Sequence, residues 1–285
     1  MKGCLEMKSR LGIVSNCWKM QLDAGATLAS LVDRGLEIGL RHFELRQGAL
    51  GECEAEDRTP LPKKLASLAT RFPEAIFDLA VEMPVVTGAG SLRSRFLAHC
   101  LEGAVALASS EASPIAHLRI VDLSGPTVAQ GEARQRSLTI LKRIEQSLQM
   151  SAPQSMLSLE HSIQPWPEFH VLFDEVRSAV DLKLCFDPCN LWLCEDTPDA
   201  AAITASLDPN AISMLHVKQR DKDSPGVRPD IGEGAVPWPE PVRQLESAGY
   251  AGPILFETAP CEDVFEQTEA NCRIVEQWLE ELRDR

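Results

Sequence analysis

The stretch SMLSLEHSIQPWPEFHVLFDEVRSAVDLKLCFD, residues 155–187, reads as one strand, one helix and a second strand. SMLSLE (155–160) and LKLCFD (182–187) are short, mostly apolar runs, each closed by a carboxylate. The segment between them carries helical periodicity over 167–180. Two strands joined through a helix lie parallel in one sheet. Working outward, the same alternation covers the chain. Further strands are expected at 11–17 (LGIVSNC), 41–46 (RHFELR), 75–82 (AIFDLAVE), 117–123 (HLRIVDL), 211–217 (AISMLHV) and 253–258 (PILFET). Helical patterns fit 24–38, 61–71, 92–108, 128–150, 197–206, 238–248 and 262–282. The last of these shows its period in Ile274, Trp278 and Leu282. Eight strand–helix units without a break in composition predict an α/β chain folded as a single (β/α)8 barrel over residues 1–285. No GxGxxG fingerprint follows the first strand, which weakens a dinucleotide-binding alternative.

The strand ends carry the chemistry. Glu160 closes LSLE, Asp187 closes LKLCFD, His216 lies in SMLHVK and Glu257 in PILFET. Side chains alternate along a strand. If Asp187 points inward, Leu182, Leu184 and Phe186 face the helices; His216 and Glu257 give the same phase, and so does Glu44 between Phe43 and Leu45. In a β/α barrel the strand C-termini converge on one face, the face that carries active sites. A lone strand-end carboxylate is ordinarily a solvated rim residue, and a lone histidine is ordinarily packed and hydrogen-bonded. Four such residues on consecutive strands five to eight are a different matter. Three carboxylates and an imidazole form a hard, oxygen-rich set suited to Mn²⁺ first, with Mg²⁺ or Co²⁺ as alternatives. Without a cation the carboxylates would repel one another.

The formal net charge of −14 repels nucleic acid and anionic membrane surfaces. No apolar run approaches the roughly 20 residues that span a bilayer, and MKGCLEMKSR is not a signal peptide. The expectation is a cytoplasmic protein with a small-molecule partner. Nine scattered cysteines form no disulfide framework. Cys185, Cys189 and Cys194 lack the paired spacing of structural zinc sites and read as buried small side chains.

The fragments LSLEHS (157–162), CFDPCN (185–190), MLHVKQRD (214–221), RPDIGEGAVPW (228–238) and ILFET (254–258) together resemble the xylose-isomerase-like barrel superfamily. That group holds sugar isomerases, sugar-phosphate epimerases, inosose dehydratases and the endonuclease IV class. The resemblance implies one divalent cation on Glu160, Asp187, His216 and Glu257, and a homodimer or homotetramer. Many epimerases of the type place a histidine three residues after the aspartate; here that position is Asn190, whose amide can hold a substrate hydroxyl or oxyanion. The endonuclease branch needs several metal-binding histidines for three metals, whereas this chain has six histidines in all, with Asn190 and Asp230 where that branch tends to use histidine.

Around the mouth, Arg46, Lys218 and Arg228 are candidates for a substrate oxygen or phosphate. Glu44 completes the candidate binding set, Glu82 is a partner for one of the bases, and Trp18 is a candidate apolar wall. His161 should point away from the metal. The loop 219–236 should act as a lid. The expected reaction is enolisation of a sugar or polyol carbonyl. One of Glu160 and Glu257 takes a proton and the other returns it, so that an enediolate leads to isomerisation or epimerisation. Loss of a hydroxyl from the same species, as from a keto-inositol, would make a dehydratase. An abasic-site endonuclease and a catalytically silent metabolite-binding barrel are the remaining readings.

Overall fold

The computed structural model describes residues 10–88, 94–152, 154–192, 199–221, 223–224 and 226–283. Eight parallel strands close into a barrel in chain order. They are β1 (Leu11–Val14), β2 (His42–Arg46), β3 (Ile76–Glu82), β4 (Ala116–Val121), β5 (Ser155–Glu160), β6 (Leu182–Phe186), β7 (Ile212–Val217) and β8 (Ile254–Phe256). The outer helices that follow them are α1 (Leu28–Glu37), α2 (Pro62–Arg71), α3 (Ser94–Leu107), α4 (Gly131–Ser151), α5 (Trp166–Arg177), α6 (Ala200–Ser206), α7 (Glu240–Ser247) and α8 (Val264–Arg283). β8 hydrogen-bonds back to β1, with Leu11 opposite Ile254. Among the described residues no helix is long and apolar enough to cross a membrane.

Local signals explain where the helices begin. The Thr27 side chain accepts a hydrogen bond from Ser30 N at the start of α1, and Glu52 accepts from Leu28 N at 2.8 Å. Asp199 caps α6 through Ala201 N and Ala202 N, and proline opens α2 and α5. Such caps satisfy N–H groups that have no intrahelical partner.

The strands separate two interiors. Odd positions such as Phe43, Leu45, Phe77, Leu79, Leu157 and Leu159 join the helices in one large apolar core. Among the described residues, Val14, Cys185, Met214 and Leu255 form a small apolar cluster inside the barrel. The remaining interior is polar: His42, Glu44, Asp78, His117, Arg119 and Ser158 are all buried there. β/α barrels ordinarily fill this space with branched aliphatics. Here Asp78 accepts from both His42 and His117 Nδ1, and His117 Nε2 meets Ser158 Oγ at 2.7 Å. The polar interior therefore runs as a connected network beneath the strand C-termini.

Candidate metal centre

The strand ends bring the four expected residues together. Glu160, Asp187, His216 and Glu257 are all buried, and one donor atom from each falls within 4.8 Å of the others. β5 ends on Glu160 and β7 contains His216, whereas Asp187 and Glu257 stand just beyond β6 and β8. Asp187 is fixed by the short helical turn that follows it: its Oδ1 accepts from Cys189 N at 2.9 Å and Asn190 N at 3.3 Å. Its Oδ2 makes no hydrogen bond of good geometry, although Lys218 Nζ lies 2.6 Å away. Lys218 also donates to Glu257 Oε2 at 2.8 Å. The phase read from strand alternation is the one observed.

His216 is the clearest sign of a missing partner. Its ring is fully buried. Nε2 lies 3.5 Å from Glu44 Oε1 and 3.5 Å from Cys185 Sγ. Nδ1 has no hydrogen-bond partner, yet it points between Glu257 Oε2 at 3.5 Å and Glu160 Oε1 at 3.9 Å. A histidine held by a carboxylate through one nitrogen, with the other aimed at carboxylates, is the arrangement of metal-binding imidazoles. Glu44, Cys185 and His216 are also close enough to share an ion. Burial holds the Cys185 thiol up at about 12 in the metal-free protein, and Glu44 in that trio is already gripped by Arg119.

The charge balance agrees. Glu44, Glu160, Asp187 and Glu257 face Arg119 and Lys218 as internal counter-ions. With His216 neutral, as a metal ligand must be, two negative charges remain, which one divalent ion neutralises. The surplus shows in Asp187: burial and the nearby Glu257 and Glu160 outweigh Lys218 and push it up to about 6. Glu44 goes the other way. Burial would raise it, but Arg119 and His216 outweigh burial and bring it to about 2. Burial alone would lower the His216 imidazole; the Cys185 sulfur and the carboxylates raise it well above its usual value. The carboxylates supply that field at neutral pH, because the thiol is protonated. The residues present fit a hard divalent cation.

Other expected residues take different places. Asn190 Nδ2 donates to Glu160 Oε1 at 3.2 Å and to the His161 carbonyl at 2.8 Å, so its amide hydrogens hold a neighbour rather than a substrate. Arg46 stands at the mouth, 3.7 Å from Glu82, which Arg58 also engages at 3.2 Å. Arg228 is tied to Asp230 at 2.9 Å and Asp221 at 3.2 Å, and it donates to the Glu233 carbonyl; it staples its own loop and does not join the four. Trp18 is a correction. Residues 15–18 form a 3₁₀ turn that ends β1 early, and the indole packs in the outer core beside Phe43 and Phe265, not on the mouth. Glu44 lies inward as expected, but beneath the cluster with Arg119. His161 turns away, edge-on to Trp166 and Phe169. His42 and His117 belong to Asp78, so His216 is the one histidine of the six in the four-residue group. A three-metal histidine cluster of the endonuclease kind is not assembled.

Two residues of the site escaped sequence reading. Arg119 is fully buried and pairs with both Glu44 and Glu160. Asn16 Nδ2 donates to Glu257 Oε1 at 3.4 Å, from a position in phase with the inward Val14.

The expected lid is largely anchored. Gln219 donates to the Gly232 and Val236 carbonyls and accepts from Arg220 N and Val236 N, while Asn271 holds Pro229 O and Ile231 N. A Cβ on Gly234 would overlap the immobile Gln219 side chain and the Arg220 carbonyl. Gly234→Ala is therefore expected to cost about 1–3 kcal/mol, read as a lowered midpoint in thermal unfolding; an unchanged midpoint would show that this anchor yields.

Comparison with known proteins follows the same lines. The family model of the xylose isomerase-like TIM barrel matches residues 160–282, the segment holding the four residues. No curated protein sequence matches the chain. Among solved structures, a xylose isomerase-like TIM barrel protein from Mycobacterium smegmatis in complex with magnesium is 15% identical with a TM-score of 0.65, covering 87% of each chain. The probable 3-DHS dehydratase AsbF from Bacillus anthracis is 14% identical with a TM-score of 0.64, over 94% of this chain and 98% of that one. A sugar phosphate isomerase/epimerase from Parabacteroides distasonis is 12% identical with a TM-score of 0.59, over 94% and 93%. Over residues 160–282 the chain matches the xylose isomerase-like TIM barrel model, and over nearly its whole length its fold is similar to that of these solved structures.

Proposed function

We propose that this protein is a divalent-metal-dependent isomerase or epimerase of a sugar or sugar phosphate, acting by proton removal next to a carbonyl. The observation that carries the reading is the orphaned, buried His216 Nδ1 facing the Glu160 and Glu257 carboxylates. Glu160, Asp187, His216 and Glu257 would hold the ion, with Mn²⁺ preferred by this donor set and Mg²⁺ or Co²⁺ acceptable. Such an ion, when bound, polarises a carbonyl and acidifies the adjacent C–H. The chain's own groups do the rest. Glu257 and Glu160 both reach the His216 Nδ1 side of the cluster from different strands, and in the two-base reading one removes a substrate proton and the other returns it. Arg46 supplies positive charge for substrate oxygens, while Lys218 is held between Asp187 and Glu257. A cavity of about 740 Å³ lined by Gln47, Glu82, Phe96 and His99 among others lies on the β2–β3 side and touches none of the four candidate ligands. The magnesium complex of one structural relative and the isomerase/epimerase and dehydratase names of others support the class. The substrate is a small molecule, and the net charge of −14 disfavours nucleic acid.

The test is incubation with ketoses, their phosphates and keto-inositols in deuterated buffer with Mn²⁺. Deuterium at carbon is the expected result, and a dehydrated product would move the assignment to a lyase. No exchange across the panel with metal-loaded protein would overturn enolisation. The metal itself is tested by Asp187→Ala, which is expected to abolish stoichiometric Mn²⁺ binding; parent-like binding would place the ion elsewhere.

A further inference from the structure

One guanidinium reaches both sides of the candidate metal centre from beneath. Arg119 of β4 is 0% exposed. Its Nε donates to Glu44 Oε2 at 3.0 Å and its Nη2 to Glu44 Oε1, a two-point grip. Its Nη1 donates to Glu160 Oε2. The other Glu160 oxygen, Oε1, is the one that faces His216 Nδ1. Glu44 Oε1 in turn faces His216 Nε2. Glu160 Oε1 also accepts from Asn190 Nδ2 at 3.2 Å, so Arg119 occupies one Glu160 oxygen and leaves the other on the His216 side.

We propose that Arg119 is a positioning residue of the metal centre. By engaging Oε2 it makes Glu160 a one-oxygen ligand through Oε1, and by gripping Glu44 it presents His216 through Nδ1. The inference rests on the metal reading above. A buried ion triad is a poor way merely to hold a core, because apolar residues of similar volume often do as well or better. The planar, three-point geometry is also specific to arginine; lysine keeps the charge but loses the fork.

Arg119→Lys separates position from charge. With its charge balance kept, the metal-free variant is expected to unfold cooperatively close to the parent temperature. It should bind Mn²⁺ roughly 10–100-fold more weakly, the usual effect of losing an outer-shell partner. Its Co²⁺ form should show a weaker visible band, because a released Glu160 can chelate through both oxygens and raise the coordination number. Glu44→Gln, which leaves Arg119 on Glu160 but weakens the hold on His216, should lower Mn²⁺ affinity while keeping the coordination number, and so the band intensity, of the parent. A folded Arg119→Lys with parent-like Mn²⁺ affinity and Co²⁺ spectrum would overturn the proposal. So would a loss of affinity accompanied by an equivalent loss of metal-free stability and no spectral change. A crystal structure of the Mn²⁺-loaded parent decides the matter without any variant: Arg119 on Glu160 Oε2 is expected, and both Glu160 oxygens on the ion would refute it. Asp187→Ala serves as the control. If it binds Mn²⁺ like the parent, the metal reading fails and this proposal with it; if it does not, a negative Arg119 result sinks only the positioning role.

Discussion

Glu257→Gln and Glu160→Gln are each expected to lower turnover at least about 10²-fold, the lower end of what a positioned acid or base contributes. The two carboxylates come from β8 and β5, separated by β6 and β7, and present oxygens at 3.5 Å and 3.9 Å to the same His216 nitrogen. Both therefore lie within reach of whatever the ion holds. Glutamine is not a neutral replacement here. Glu160 receives donors on both oxygens, Arg119 on one and Asn190 on the other. Glu257 receives Lys218 and Asn16. An amide NH₂ at either position must face a donor, so some metal loss is expected as well. Activity must therefore be expressed per metal-loaded molecule. The decisive reading is substrate deuterium exchange in variants restored to full metal occupancy. If Glu160→Gln then exchanges at the parent rate while Glu257→Gln does not, Glu160 is a ligand only and a one-base mechanism replaces the two-base one.

Strand positions were legible because barrel strands are covered by helices outside and so keep an unbroken outward-facing apolar series, such as Leu182, Leu184 and Phe186. The inward series carried the site, and parity alone put Glu44, Asp187, His216 and Glu257 in phase. The same parity held a further message. Parallel strands usually read as near-continuous apolar runs, yet HFELR (42–46) and HLRIV (117–121) alternate. Such alternation in a parallel barrel announces a polar interior, and it marks Arg119 as an inward residue. Its partners could not be read, because pairing across a barrel depends on register. Glu44 and Glu160 meet Arg119 through the stagger of β2, β4 and β5. Trp18 was misplaced for a different reason. LGIVSNC is apolar enough to read as strand through 17; alternation from Val14 would face both Asn16 and Trp18 inward, and the 3₁₀ turn from Ser15 sends Trp18 to the outer core instead. Arg228 was misplaced because its partners Asp221 and Asp230 sit in its own loop, and sequence alone does not separate a loop staple from a substrate contact.

Lys218→Met is expected to move stability and metal affinity in opposite directions. In the metal-free protein Lys218 is the cation between two buried carboxylates, 2.6 Å from Asp187 and 2.8 Å from Glu257. Burial would lower its pKa, but Asp187 and Glu257 raise it well above the usual lysine value; it is charged under all ordinary conditions. Removing one partner of a buried ion pair costs about 3–5 kcal/mol. Asp187, already held up at about 6, would then relieve part of that cost by taking a proton, so the lower end is the expected size near neutral pH. A divalent ion on the same carboxylates supplies the missing charge. Mn²⁺ should therefore raise the unfolding temperature of Lys218→Met by more than it raises that of the parent, since a ligand stabilises in proportion to how well it binds the native state. Calorimetric titration should show Mn²⁺ affinity equal to or tighter than the parent's, because a competing ammonium has gone. Thermal unfolding with and without metal, in parent and variant, provides the four values needed. A variant that is as stable as the parent without metal but binds Mn²⁺ more weakly would show that Lys218 is not the internal counter-ion. Its ammonium would then have to act on the bound substrate instead.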